Sequence, residues 1–375
     1  MKKIAIITEL SLNSTNYGNN IQAYALNKYL RTYYKDYLVE TILLKKRTGR
    51  EVTSFFFYAK RILVKFQLIL KKRKKEIVDV KRNRFNGFVK KYINVSHANY
   101  TYKELKTSDY DYYIVGSDIV WIQSKGFINK AKFIAFNPNK KDAKKIAYAA
   151  SFGENRIPSE NRKKVINYLK GFNAISVREK DSVGFLNRNG IDDVSHVCDP
   201  TLLLSSEDWN EITKDVKRID KYIGKKYALI YIIGFDKHEK EIKEICKKMD
   251  IVPVFVSCEK LNLNNSLEVD YFDDCSPQEW IWMIKHAEFV ITDSFHGLIF
   301  STIFKKHFLV IERSNTRNLN IRLTDYLEKI GETDKLVDIT RVNNVERYIW
   351  DYSKIKNNMD KFIDDSKKYI TSSIT

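Results

Sequence analysis

Four short stretches of the chain hold residue types able to do chemistry, and each lies where an apolar run gives way to a helical pattern. In Thr292-Asp293-Ser294-Phe295-His296-Gly297 a histidine stands near a carboxylate, a hydroxyl and a glycine. Imidazole titrates near neutral pH, so His296 suits proton transfer, with Asp293 and Ser294 as its neighbours. In Ser176-Val177-Arg178-Glu179 a buried strand delivers Arg178 to its carboxyl end. A planar, permanently charged guanidinium grips a phosphate or carboxylate with two parallel hydrogen bonds. A surface pair with Glu179 or Asp181 would account for the same arginine. In Val115-Gly116-Ser117-Asp118 a small-residue turn presents Ser117 and Asp118, the latter either as a site carboxylate or as a helix cap. In Asn16-Tyr17-Gly18-Asn19-Asn20, Gly18 lets the backbone turn while Asn19 or Asn20 caps the next helix. Asn16, Gly18, Asn19, Ser117 and Ser294 complete the candidate substrate-binding set.

These junctions need strands behind them and helices ahead. Buried apolar runs predict strands at 3–8, 39–44, 112–115, 145–150, 174–177, 227–233, 252–256, 289–292 and 308–311. Helical patterns fill the gaps, among them 20–33, 162–170, 180–189, 239–248, 277–287 and 297–304. Such alternation is the signature of parallel α/β sheets, and two sets in series predict two Rossmann-like lobes facing a central cleft. The expected division is 1–204 for the first lobe, 205–342 for the second and 343–375 for a helical tail able to pack back on the first. The joint falls at Asp199-Pro200-Thr201, with Ser205 or Ser206 capping the helix beyond it. Ligands of open α/β sheets bind beyond the carboxyl ends of the strands, where helix N-termini attract anions.

Composition sets limits on function. No apolar run reaches the roughly 18 to 20 residues that span a bilayer, and the start turns polar too early for a signal peptide, so the expected location is the cytoplasm. Cys198, Cys246, Cys258 and Cys275 are too dispersed for a zinc site or redox pair, and read as reduced, mostly buried thiols. No metal is expected. The net charge of +19 is concentrated between Lys45 and Lys91, where 17 basic residues face three acidic ones. Within it, Ile62, Phe66, Ile69 and Leu70 share one face of a basic amphipathic helix. That helix either covers a core edge or docks at an anionic membrane on the inner face, each basic residue adding up to about 1 kcal/mol. Nucleic acid is disfavoured, because the aromatics lie on the apolar face rather than between the basic side chains.

The four junctions together, with Tyr148-Ala149-Ala150-Ser151-Phe152-Gly153 and Asp199-Pro200-Thr201-Leu202-Leu203-Leu204, resemble the polysaccharide pyruvyl transferase family along nearly the whole chain. The resemblance implies a fold similar to GT-B glycosyltransferases, with the acceptor side on the first lobe and the donor side on the second. It implies phosphoenolpyruvate as donor co-substrate without any cofactor, and a free or lipid-linked precursor of a bacterial surface glycan as acceptor. The product would be a pyruvyl ketal. By position, Arg178 and His296 match the family's donor-contacting residues, and a basic residue about twenty positions beyond the histidine is matched by Arg317 or Arg313. Where some members carry Arg-Leu-His, this chain has Ser294-Phe295-His296, one phosphate ligand fewer. Protonation of the donor's C3 makes C2 electrophilic toward a hydroxyl. His296 is the candidate for proton transfer, and Asp293 or Asp118 orients it or accepts the hydroxyl proton. Two other classes stay open: a GT-B glycosyltransferase using a nucleotide sugar, and a non-catalytic assembly or membrane-surface protein for glycan export.

Overall fold

The computed structural model describes all residues of the chain except 46–49, 53–74, 123–126, 154–156, 235–237, 257–269, 314–319, 343 and 350. The basic amphipathic segment around 55–70, Cys258 and Arg317 therefore lie outside the described residues.

Two six-stranded parallel sheets form the frame. The first comprises β1 (Lys3–Ile7), β2 (Leu38–Thr41), β4 (Tyr112–Val115), β6 (Lys144–Ala150), β7 (Ala174–Val177) and β8 (Val194–His196), in the order β2-β1-β4-β6-β7-β8. The second comprises β9 (Tyr227–Tyr231), β10 (Val252–Val256), β11 (Asp270–Phe272), β12 (Phe289–Thr292), β13 (His307–Ile311) and β14 (Leu336–Val337), in the order β11-β10-β9-β12-β13-β14. β3 (Arg50–Val52) and β5 (Phe127–Asn129) make a separate antiparallel pair. Central strands such as Tyr112–Val115 and Phe289–Thr292 are buried along their whole length, as sheets covered on both faces by helices require. The order of strands reverses between β1 and β4 in the first sheet and between β9 and β12 in the second. Those are the crevices where a doubly wound sheet binds ligands.

Helix starts follow local side-chain chemistry. α1 (Tyr17–Tyr33) is capped by Asn16, whose side chain accepts from the Asn19 amide, rather than by Asn19 or Asn20 as the sequence predicts. Asn16 has the extended backbone that a cap requires, whereas Asn19 and Asn20 are already helical. After α2 (Lys75–Tyr92), α3 (Tyr102–Lys106), α4 (Ser159–Leu169) and α5 (Lys180–Asn187) comes α6 (Ser206–Thr213), begun by a capping box of Ser205 and Asp208. α7 (Glu239–Lys248) is followed by α8 (Pro277–His286), which combines a Ser276–Glu279 capping box with proline in its first turn. α9 (Phe295–Ile303) and α10 (Ile321–Ile330) follow, and α11 (Tyr352–Ile374) closes the chain. This last helix reaches the first lobe: Tyr369 donates to the Ala147 carbonyl at 2.9 Å, and Ser366 accepts from the Cys198 amide at 2.8 Å.

The lobes are joined by more than the chain. Tyr17, at the start of α1, stacks on Trp280 with centroids 5.3 Å apart and donates to the Cys275 carbonyl at 2.7 Å. Arg84 of α2 pairs with Asp274 and Glu279 across the same seam, beside Arg218, which holds Asp274 with two bonds of 2.6 Å. Buried apolar side chains run continuously from Ile4 and Tyr17 to Trp280 and Phe300.

Candidate active site between the lobes

The carboxyl ends of β4 and β7 and the turn after β12 converge on one buried carboxylate, Asp199. It follows β8 and begins a single 3-10 turn, Pro200–Leu203, at the joint between the lobes. Its Oδ1 accepts from the Thr201 amide at 3.1 Å and hydroxyl at 2.8 Å. Its Oδ2 accepts from Ser117 Oγ and Arg178 Nη1, both at 3.1 Å, and lies 3.5 Å from Nε2 of His296. Burial alone would push this carboxyl up, but His296, Arg178 and the Thr201 amide outweigh it and hold it well below the usual carboxylate range. Asp199 is thus an anion shared by both lobes.

Arg178 stands at the end of β7, as its sequence context predicts, but it is buried and not part of a surface pair. Its Nε donates to Glu179 at 3.0 Å, Nη1 serves Asp199, and Asp118 lies 3.9 Å away. Burial disfavours its charge, while Glu179, Asp199 and Asp118 more than restore it. Nη2 is buried and has no hydrogen-bond partner among the described residues. Glu179 also accepts from Ser151 at 2.8 Å, which fixes the carboxylate that orients Arg178. Asp118 is not a helix cap. It takes a positive φ of 65° in a tight turn, and its Oδ1 accepts from the Ile119 amide at 2.9 Å.

His296 sits in the first turn of α9, buried, with Nε2 3.5 Å from Asp199 and making no hydrogen bond among the described residues. Gly18 of the opposite lobe lies flat against its ring: a Cβ at position 18 would meet Nδ1 at 2.3 Å. The glycine is therefore required by close approach across the cleft rather than by the turn inferred from sequence. Ser294 caps α9 by accepting from the Gly297 amide at 3.3 Å, and Gly297 leaves room for Thr292, whose Oγ1 would lie 2.4 Å from a Cβ there.

Asp293 does something other than orient His296. Its two oxygens accept from the Ile233 and Gly234 amides, each at 2.7 Å, and Arg313 Nε lies 3.2 Å from Oδ2. These bonds tie the end of β9 to the end of β12 at the second lobe's crevice. Arg313 also donates to the Asp293 carbonyl at 2.9 Å, so it is a partner of Asp293. Asn16 and Asn19 serve the start of α1.

The structure thus brings together Arg178, His296, Gly18, Ser117 and Asp118, and adds Asp199 and Glu179, which the sequence reading left out of the site. It also adds Arg322, buried in α10, whose guanidinium carbon lies 5.9 Å from the Phe295 ring centre, while that of Arg178 lies 4.4 Å from the same ring. No cluster of three or more His, Cys, Asp or Glu side chains among the described residues is arranged to hold a metal. Cys198, Cys246 and Cys275 are free and buried, and burial pushes the first two thiols up to about 11 and about 12, away from nucleophilic use.

The family model for polysaccharide pyruvyl transferase matches residues 16–315, from the cap of α1 past the His296 turn. The chain belongs to the polysaccharide pyruvyl transferase family. No curated protein sequence matches it significantly. Solved structures share the fold of this pyruvyl transferase family member at low identity. The UDP-GlcNAc 2-epimerase of Neisseria meningitidis bound to UDP-GlcNAc is 11% identical with a TM-score of 0.50, over 100% of this chain and 99% of that one. The S. aureus MnaA-UDP co-structure is 14% identical with a TM-score of 0.56, over 99% and 95%. Another UDP-N-acetylglucosamine 2-epimerase is 12% identical with a TM-score of 0.54, over 99% and 95%. These GT-B type enzymes share the two parallel α/β lobes, so the family's chemistry is here set on a GT-B frame. No helix among the described residues is long and apolar enough to cross a membrane.

Proposed function

We propose that this pyruvyl transferase uses phosphoenolpyruvate as donor and forms a cyclic pyruvyl ketal on two hydroxyls of a free or lipid-linked surface-glycan precursor. The observation that carries the reading is the buried pair formed by Arg178 and His296, both approaching Oδ2 of Asp199, with Arg178 Nη2 and His296 Nε2 lacking hydrogen bonds among the described residues. One group is suited to a carboxylate or phosphate and the other to moving a proton, within one water-poor cleft.

In the reaction, protonated His296 gives its proton to C3 of the donor, and a sugar hydroxyl bonds to C2. The hydroxyl proton passes to Asp118, whose Oδ2 makes no hydrogen bond among the described residues. A second hydroxyl then displaces phosphate from C2 and closes the ketal, its proton leaving with the phosphate. Arg178 holds the donor's anionic end, and Asp199 stabilises the histidine cation before transfer. Gly18 and Ser117 bring the first lobe's backbone and hydroxyl to the same centre.

The test is incubation with phosphoenolpyruvate and a panel of free and lipid-linked glycans, reading phosphate release and product mass. Acceptor-dependent phosphate release with a product heavier by one pyruvyl ketal is expected. Turnover of a nucleotide sugar in place of phosphoenolpyruvate would overturn the donor assignment.

A further inference from the structure

Arg322 is the second residue of α10, about 91% buried, and among the described residues it makes no hydrogen bond or ion pair, its Nε being buried without an acceptor. A guanidinium removed from water without a partner is costly, and native proteins rarely tolerate it without a ligand or counter-ion. Its surroundings worsen the position: burial first, then the positive charges of Arg178 and Arg313, bring it down to about 10, with Asp118 and Glu179 pulling weakly the other way. Arg322 and Arg178 line the same small cavity, together with Phe295, Lys329 and the carboxylates of Glu179, Asp199 and Asp325. Both guanidiniums lie against the Phe295 ring, and each carries a buried nitrogen with no acceptor: Nε in Arg322, Nη2 in Arg178. Two separate orphaned donors thus point to one missing acceptor.

We infer that Arg322 and the free edge of Arg178 form a subsite for a phosphate group, with Phe295 as the apolar floor between two cationic walls. A phosphate offers enough oxygens to serve both forks at once. Its source is either the phosphate of the donor or the inorganic phosphate released from it. That identification rests on the transfer reading, whereas the subsite does not. The second lobe then supplies a phosphate ligand from α10, outside the Ser294-Phe295-His296 turn.

The experiment compares wild type with Arg322→Gln by thermal unfolding at increasing inorganic phosphate, with acetate as the carboxylate control. In a second arm the KM for phosphoenolpyruvate is measured. Without ligand, Arg322→Gln is expected to melt at or above wild type, because an unpaired buried charge has been removed. Phosphate raises the wild-type Tm, acetate does so less, and the variant loses the phosphate response, with affinity down roughly tenfold to a hundredfold. A rise in KM by a similar factor marks the donor's phosphate as the occupant, and an unchanged KM marks released phosphate. If Arg322→Gln does not fold, Arg322→Lys, which keeps the charge but loses the fork, gives the same readout through weakened phosphate binding. A ligand-free variant that melts well below wild type and keeps the full phosphate response overturns the subsite. So does a wild type indifferent to phosphate. Absence of phosphate release from phosphoenolpyruvate, with the phosphate response intact, sinks the transfer reading alone.

Discussion

Two buried aspartates at the cleft illustrate how differently the same side chain is used. Asp293 receives all its partners, Ile233, Gly234 and Arg313, from the second lobe, and so secures a crevice within one sheet. Asp199 gathers Ser117 and Arg178 from the first lobe and faces His296 from the second. One holds a turn, while the other brings groups of both lobes to a single buried negative charge. A carboxylate's position at a strand end does not decide which of these it does. Its complete set of hydrogen bonds does.

Replacing each aspartate tests that contrast. Asp199→Ala leaves Arg178 under-compensated in a buried site, and is expected to cost about 3–5 kcal/mol in denaturant unfolding and to eliminate activity. Asp293→Ala orphans two amides and is expected to cost about 1–3 kcal/mol, with partial activity retained. Equal loss of activity from both, at equal stability, would erase the distinction. Gly18→Ala sharpens it from the steric side. A methyl group 2.3 Å from His296 Nδ1 must push the ring from Asp199, and kcat should fall by about 10²-fold, with the overpacking costing about 1–3 kcal/mol in unfolding free energy. A normal kcat in this variant would show that the interlobe contact is incidental.

The smallest expected effect concerns His196, which neighbours the cluster without joining it. Its Nε2 lies 3.1 Å from the Arg178 carbonyl, its ring packs on Phe362, and burial with nearby Lys329 brings its pKa down to about 4. The unfolded chain binds this proton near pH 6.5 and the folded chain does not until about 4. Stability contributed by neutral His196 is therefore present above pH 6.5 and lost as pH falls toward 4. His196→Asn should flatten that part of the wild-type stability profile, and an unchanged slope would remove His196 from its cause.

Much of the frame was legible in sequence because long buried strands announce themselves: 112–115, 174–177, 252–256 and 289–292 fall where the apolar runs predict. The strands that escaped notice, β3, β5, β8, β11 and β14, have two or three residues each, too few to show a period or a burial pattern. The site was legible where chemistry and strand end coincided, at Arg178 and His296. Asp293 looked like the partner of His296 because it is three residues away, yet local backbone amides claim it first. Asp199 looked like a linker residue because it precedes proline, and its role comes from Ser117, Arg178 and His296, residues 82, 21 and 97 positions away. Arg322 left no signal, since a helix residue beside Leu323 gives no hint that it is buried without a partner. The Asp199-Pro200-Thr201 motif itself, read against the strand end preceding it, was the available clue.

The central claim is that a histidine from the second lobe, set against an anion from the first, moves the proton that starts transfer. Phosphate release from phosphoenolpyruvate by wild type and His296→Ala, with circular dichroism to verify the fold, tests it most directly. A loss of at least about 10²-fold in a folded variant is the expected result. An unchanged rate would contradict the account and remove His296 from the chemistry.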